Sequence, residues 1–209
     1  MENTTPFETK NKKYELTDEQ NANDLYRIKA LRDIPDIGLR AGDLGGFVAS
    51  ENNLSHENNC WVFDESQVCD DAIVYGNAIV RDKAYVYGES KIFGNAVVAD
   101  SVEVSGQAKI YEDAIIENEA IIEGKTEIFG SANIKDNALA KDRAKVFDKA
   151  VISEYAKICD DAMVCGIAKI SGTVRVSENA LVSGGKFSGN TKILGNSIII
   201  IQDTTDMSR

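Results

Sequence analysis

A six-residue unit repeated without a gap constrains this chain more than any other feature. It runs twenty times from Ser66 to Gly185, as in AIVYGN (72–77), AKIYED (108–113) and AKVFDK (144–149). The first position is Ala, Ser, Thr or Val, and the third is Val or Ile except at Ala140. Internal repeats of fixed period mark repeat architectures, so this unit decides the fold, although it does not decide the function.

Alternation within the unit predicts a short strand followed by a corner. The small first residue and the branched third residue share one face of a strand, because side chains alternate between its two faces. An amphipathic helix would instead need apolar residues three and four apart. The fifth and sixth positions are rich in Gly, Asp and Asn, which form tight bends at low cost. The first and third positions are therefore expected to fill a narrow interior.

The spacing of aromatic residues predicts how many units close one coil. Five aromatic residues recur eighteen apart at the fourth position: Tyr75, Phe93, Tyr111, Phe129 and Phe147. A second column, at the fifth position of another face, is acidic or amide throughout: Asp64, Asp82, Asp100, Asn118, Asp136 and Glu154. Both columns indicate that residues eighteen apart are neighbours. Three units would then close one coil of a triangular, all-β parallel β-helix.

The repeat resembles the hexapeptide-repeat proteins, which form left-handed parallel β-helices, although Gly or Asp comes one position later here than in their usual signature. The segment LRAGDLGGFVASENNLSHENNCWVFDES (39–66) is similar to the opening of YdcK-like β-helix proteins, a bacterial and phage group named as transferases. The resemblance covers about residues 14–200. It implies a left-handed helix and, as one option, an acyltransferase that uses acyl-CoA.

The segments outside the repeat predict a simple domain organisation. We expect a flexible N-terminus at 1–13, a capping segment at 14–47, the β-helix at 48–202 and a polar C-terminal tail at 203–209. In the capping segment, Leu25–Leu31 is predicted as a strand and Thr17–Asp24 as a turn, giving a hairpin over the first coil. Leu54 and Cys60 are predicted at first positions of a loosely phased first coil. After Gly185 one unit is a residue short.

Composition excludes several classes of function. The formal net charge of −11 argues against direct nucleic-acid binding, which needs clustered Lys and Arg. The sequence shows neither a membrane span nor a signal peptide. The four cysteines lack metal-ligand spacing, which favours reduced thiols in the cytoplasm: Cys60, Cys69, Cys159 and Cys165. We therefore expect no metal and no cofactor.

Each of the two columns has two interpretations. The aromatic column is either an outward stripe that binds a partner or a ladder of rings that stack on each other. The acidic column either binds a basic partner or supplies corner residues for backbone hydrogen bonds. The binding interpretations predict a non-enzymatic scaffold for a protein partner. One form is a phage-type inhibitor that imitates nucleic-acid charge. The alternatives are an acyltransferase and a purely structural rod.

Two further candidates lie at the two ends of the repeat. His56, the single histidine, is a weak candidate for a general base, and the alternative is a solvated loop residue. Four isoleucines, Ile198, Ile199, Ile200 and Ile201, end the last coil and predict a homo-oligomer or partner contact, since an exposed apolar strand favours association.

Overall fold

A computed structural model describes residues 12–202 of the 209, and over this range the chain winds into a three-sided parallel β-solenoid. Two short 3-10 helices, Pro35–Ile37 and Glu51–Asn53, precede the regular coils. In chain order the strands are β1 Tyr14–Gln20, β2 Tyr26–Ala30, β3 Leu44–Val48, β4 Trp61–Val62, β5 Gln67–Val68, β6 Ile73–Val74, β7 Ile79–Val80, β8 Tyr85–Val86, β9 Lys91–Ile92, β10 Val97–Val98, β11 Glu103–Val104, β12 Lys109–Ile110, β13 Ile115–Ile116, β14 Ile121–Ile122, β15 Glu127–Ile128, β16 Asn133–Ile134, β17 Leu139–Ala140, β18 Lys145–Val146, β19 Val151–Ile152, β20 Lys157–Ile158, β21 Met163–Cys165, β22 Lys169–Ile170, β23 Arg175–Val176, β24 Leu181–Ser183, β25 Lys186–Phe187, β26 Lys192–Ile193 and β27 Ile198–Ile200.

Successive strands belong to three different sheets. We call these the hairpin sheet (β1-β2-β3-β5-β8-β11-β14-β17-β20-β23-β26), the tryptophan sheet (β4-β7-β10-β13-β16-β19-β22-β25) and the aromatic sheet (β6-β9-β12-β15-β18-β21-β24-β27). Val74 pairs in parallel with Ile92, eighteen residues later, and this spacing recurs down the regular coils. The predicted triangular coil is confirmed. Its left-handed sense stays a prediction from the resemblance.

The interior is filled by the first and third positions of the unit, as predicted. Ala72 and Val74 are fully buried, and the same holds for nearly every equivalent pair along the rod. Fully burying a Val or Ile side chain stabilises a fold by about 1.5–3 kcal/mol, so this column is the main source of stability. The hydroxyls of Ser90 and Thr126 donate to the carbonyls three residues earlier, at 2.6 Å each, which explains polar residues at an interior position.

An antiparallel hairpin extends the hairpin sheet at its N-terminal edge. Strand β1 pairs with β2, β2 pairs with β3, and β3 continues in parallel into β5. The predicted turn at Thr17–Asp24 is wrong in its first half, because Thr17–Gln20 belong to β1. The turn lies later, where Asn21 Oδ1 accepts from the backbone N–H of Leu25 and Asp24 has a φ of 59°. The predicted flexible N-terminus and polar tail lie outside the described residues, apart from Lys12 and Lys13.

The repeat changes phase at two corners. Leu54 bridges to Val74, a third position, so its predicted place at a first position is wrong. Leu54 lies twenty residues before its partner Val74, whereas Trp61 lies eighteen residues before its partner Ile79. Two extra residues between Leu54 and Cys60 account for the difference. The short unit after Gly185 is confirmed, since Phe187 pairs with Ile170 at an offset of seventeen. Two consecutive glycines, Gly184 and Gly185, make this tighter corner with φ values of 78° and 82°.

Candidate partner-binding faces

The aromatic column is a continuous stack on the outer face of the aromatic sheet. Neighbouring ring centroids from Tyr75 to Phe147 lie 4.8, 4.8, 5.0 and 4.9 Å apart, with planes within 6° of parallel. Residues eighteen apart occupy the same position of the unit in successive coils, so every coil adds one ring directly below the last. The structure therefore shows self-stacking, and all five residues are only half-buried.

Stacking decides which part of each ring can meet another molecule. The faces of Phe93, Tyr111 and Phe129 are covered by the rings above and below, so these residues have their edges free. The edge of an aromatic ring carries partial positive charge, whereas its face is negative. The column thus offers an apolar strip of ring edges and is poorly suited to ligands that stack on ring faces.

A charged column beside the rings was missed by sequence reasoning. It occupies the second position of the same units, as Lys91, Lys109, Glu127 and Lys145. Glu127 accepts from Lys145 Nζ at 2.9 Å and from Lys109 Nζ at 3.3 Å. The hydrogen bond from Lys145 lowers the pKa of Glu127. The eighteen-residue spacing that revealed the aromatic column could also have revealed this one.

The acidic column lies at a corner of the prism and binds backbone. All six residues have φ between 54° and 64°, a left-handed conformation that Asp and Asn tolerate better than most residues. Asp100 Oδ2 accepts from the backbone N–H of Asn118 at 2.8 Å, and Asp136 Oδ2 accepts from that of Glu154 at 2.9 Å. Each side chain satisfies the corner N–H of the next coil. The corner interpretation therefore has a direct structural basis, with the next coil as the hydrogen-bond partner.

His56 is packed against the N-terminal segment. Its ring stacks on Tyr14 with centroids 4.3 Å apart, and Nδ1 accepts from the backbone N–H of Lys13 at 3.2 Å. The Nε2 atom is buried without a hydrogen-bond partner, and the carboxylate of Glu51 lies 3.8 Å away. Burial lowers the pKa of His56, so the neutral imidazole is favoured. A general base must reach a substrate proton, and this arrangement leaves neither nitrogen free to do so.

A buried ammonium beside His56 was also missed. Lys13 is fully buried, and its Nζ donates to the carbonyl of Cys60 at 2.7 Å and to Cys60 Sγ at 3.1 Å. Burial lowers the pKa of Lys13 and raises that of the Cys60 thiol. The polar stretch around Lys13 predicts a flexible segment, whereas its partner Cys60 lies 47 residues away in the sequence. All four cysteines are free and buried.

The four C-terminal isoleucines differ in exposure. Ile198 and Ile200 are 69% and 64% exposed and Ile201 is 49% exposed, while Ile199 packs partly against the core. Strand β27, which contains Ile198, Ile199 and Ile200, is the last strand of the aromatic sheet within residues 12–202. Among the described residues this strand pairs with β24 only, and the oligomer contact predicted at these isoleucines stays a prediction.

Within residues 12–202 no helix is long and apolar enough to cross a membrane, and no group of His, Cys, Asp and Glu side chains is arranged to hold a metal ion. In a comparison with protein families, residues 66–82 match the YdcK Beta solenoid repeat. The matched stretch begins at the first unit of the regular repeat. No curated protein matches the chain.

Proposed function

This chain carries a YdcK-type β-solenoid repeat, and from that premise we propose that it is a non-enzymatic scaffold that binds a protein partner along the outer face of the aromatic sheet. The observation that carries the proposal is the aromatic column itself: five half-buried rings in one straight stack, flanked by three lysines. Aromatic residues are enriched at protein interfaces because they bury much area with little entropy loss.

The charged column on one side of the rings indicates the kind of partner. Ring edges are partially positive and the neighbouring column carries three lysines against one glutamate. A complementary partner presents an apolar stripe flanked by carboxylates. This is the opposite of the basic partner suggested by the acidic column. The corner hydrogen bonds of that column explain its carboxylates without a basic ligand and without mimicry of nucleic acid.

The acyltransferase alternative rests on His56, whose Nδ1 accepts a hydrogen bond from Lys13 and whose Nε2 is buried. Calorimetric titration of the full chain with acetyl-CoA tests it. We expect no saturable heat. Saturable binding that His56→Asn abolishes would overturn the non-enzymatic part of the proposal.

Reversing charge beside the rings tests the binding face. In Lys91→Glu/Lys109→Glu two exposed lysines of the aromatic sheet change sign, and in the matched control Lys157→Glu/Lys169→Glu two exposed lysines of the other sheets change sign. Both variants have the same net charge. Proteins that the tagged wild-type chain retains from cell extract are identified by mass spectrometry. The affinity of each purified candidate is then measured for the wild-type chain and for both variants.

We expect the control to retain the partner and the aromatic-sheet variant to bind it roughly tenfold or more weakly, since opposed charges across an interface become like charges. Equal retention by both variants, or equal loss from both, would contradict binding at this face.

A further inference from the structure

An apolar column lies on the outer face of the tryptophan sheet. Ile79, Val97 and Ile115 occupy the second position of the unit in three consecutive coils, and each pairs in parallel with the next. Ile115 is 39% exposed, while Ile79 and Val97 are half-buried. The column ends at Asn133 in the next coil. Side chains branched at Cβ pack well against a pleated surface, so these three residues form one continuous apolar strip.

Other exposed apolar side chains of the central coils are more isolated. Ile121, on the hairpin sheet, pairs with Glu103 on one side and with Leu139 on the other. Tyr155 and Ile167 lie singly at corners. Single exposed apolar residues are ordinary on soluble proteins, whereas a contiguous strip indicates a contact surface.

A basic and an acidic residue lie beside the strip. The fourth position of the same coils holds Arg81, Ala99 and Glu117. The Arg81 side chain is 50% exposed, and its contact with Asp82 Oδ2, at 3.2 Å, is an exposed ion pair, which contributes weakly. The guanidinium has several N–H donors and can bind a further carboxylate. Glu117 Oε1 accepts from Asn133 Nδ2 at 3.4 Å, a long hydrogen bond to a neutral amide.

The coils of the rod are scarcely rotated relative to one another. Ring planes in the aromatic column differ by only 2–6° between neighbouring coils. Each coil advances by about 4.8 Å, the spacing of neighbouring strands. A flat face with this repeat can match a second copy of itself coil for coil, because both copies have the same period.

We propose that the tryptophan sheet binds a second copy of this chain face to face, with the two rods antiparallel. The two-fold axis lies in the interface along the strand direction, at the coil of Val97. Second positions then face second positions in reversed coil order, so Val97 faces itself and Ile79 faces Ile115 of the second copy. Arg81 faces Glu117 of the second copy, and symmetry makes this contact twice. The dimer buries the apolar strip and opposes each charge with its opposite.

Charge selects this register over its neighbours. An axis at the coil of Ile115 would place Glu117 opposite itself, and like charges directly opposite are unfavourable. An axis midway between the coils of Val97 and Ile115 would place Arg81 opposite Lys135. Parallel rods would oppose the apolar second positions with the charged fourth positions.

The size of the contact predicts a weak dimer. The overlap extends from the coil of Trp61 to the coil of Asn133, about 20 Å along the rod. Interfaces at the low end of the size range dissociate readily, so we expect a dissociation constant in the micromolar range or weaker. The aromatic sheet lies on another side of the prism and stays free, so this inference does not depend on the proposed partner-binding face.

Charge reversal tests the contact of Arg81 with Glu117. Arg81→Glu and Glu117→Arg each place like charges opposite one another, although they change the net charge in opposite directions. The double variant Arg81→Glu/Glu117→Arg restores opposite charges and the net charge of the wild-type chain. Sedimentation velocity of the full chain at concentrations up to about 1 mM measures dimer formation, and circular dichroism verifies folding.

We expect the wild-type chain to dimerise with increasing concentration and each single variant to dimerise at least about tenfold more weakly. The double variant should return to within about threefold of the wild-type affinity. A monomer at all concentrations would overturn the proposal. So would a double variant as weak as the single variants, or single variants as strong as the wild-type chain.

Cross-linking tests the position of the axis. Val97→Cys faces itself across the interface, and its matched control, Ile121→Cys, has the same position of the unit on the hairpin sheet. The natural cysteines are buried. Packed sheets lie about 10 Å apart, beyond the reach of a disulfide, so the reagent is a short bifunctional maleimide. We expect cross-linked dimers from Val97→Cys only, and equal cross-linking of both variants, or none of either, would contradict this axis.

Discussion

At the scale of single residues, the corners show why the repeat tolerates so many acidic side chains. The residue at the corner must adopt a left-handed conformation, and the N–H of the corner below needs an acceptor. Asp and Asn meet both requirements, whereas Gly meets only the first. The columns of Asp are thus a consequence of backbone geometry.

Asp100 allows these two requirements to be tested. Its side chain accepts from both the backbone N–H and the Nδ2 of Asn118, at 2.8 and 3.0 Å. Asp100→Ala should lower the free energy of unfolding by about 2 kcal/mol, through the lost acceptor and the strained φ of 60°. Asp100→Asn should remain within about 0.5 kcal/mol of wild type, because Asn118 occupies the same column naturally. Urea denaturation measures both, and equal losses would contradict this explanation.

His56 should make the N-terminal segment sensitive to acid. Burial lowers its pKa below the usual 6.5, so the folded chain prefers the neutral ring. Its contribution to stability is then complete above the unfolded-state pKa, and it is lost as the pH falls through that value toward the folded-state pKa. Protonation also removes the acceptor for the N–H of Lys13.

We expect hydrogen exchange at Lys13, corrected for intrinsic rates, to accelerate between about pH 7.5 and pH 5, while the central coils stay protected. In His56→Asn, which keeps an acceptor but does not titrate, this acceleration should be absent. The same acceleration in that variant would assign the effect to another group.

At the scale of elements, each two-residue strand is too short to be stable alone and depends on the strands above and below it. The aromatic column adds a second interaction along the same axis, outside the backbone ladder. Interior residues of the column have two ring neighbours and terminal residues have one, so the effect of a substitution should depend on its place in the stack.

Phe129 and Phe147 form a matched pair for this test. Phe129 stacks on Tyr111 and on Phe147, whereas Phe147 stacks only on Phe129 among the described rings. At about 0.5–1.5 kcal/mol per ring pair, Phe129→Leu should cost roughly twice as much unfolding free energy as Phe147→Leu. Thermal and urea denaturation provide the comparison. Equal costs would show that the rings contribute by burial alone.

At the scale of the whole molecule, net charge opposes the compact rod. Carboxylates of the acidic column are repeated once per coil, and the chain as a whole carries −11. Surface ion pairs such as Arg143 with Asp161 offset little of this repulsion, because exposed pairs contribute weakly.

Salt should therefore stabilise the solenoid. Raising NaCl from about 0.02 to 0.5 M shortens the Debye length to a few ångströms and should raise the unfolding midpoint by several degrees. The triple variant Asp82→Asn/Asp100→Asn/Asp136→Asn keeps the corner acceptors and removes three charges, so its midpoint should respond less to salt. A midpoint that falls with salt in the wild-type chain would mean that attractive pairs dominate.

The regular coils could be predicted from sequence because their contacts repeat at a fixed offset. Strand alternation within the unit directs Ala72 and Val74 inward, and the eighteen-residue spacing places Tyr75 above Phe93. The prediction failed before the regular repeat begins. The repeat predicts Leu54 at a first position, but two extra residues follow it and it occupies a third position. The repeat does not predict the contact of Lys13 with Cys60, because these residues are 47 apart and follow no period.

The sequence alone determined the triangular coil, the interior positions and the alignment of the aromatic column, because a short period combined with strand alternation places residues eighteen apart at equivalent positions. The stacking of the rings was one of two interpretations, and the structure decided it. Only the tertiary structure decided the hydrogen-bond role of the acidic column and the burial of His56. Each of these depends on which backbone group lies directly above or below a side chain, and local residue pattern does not contain that information.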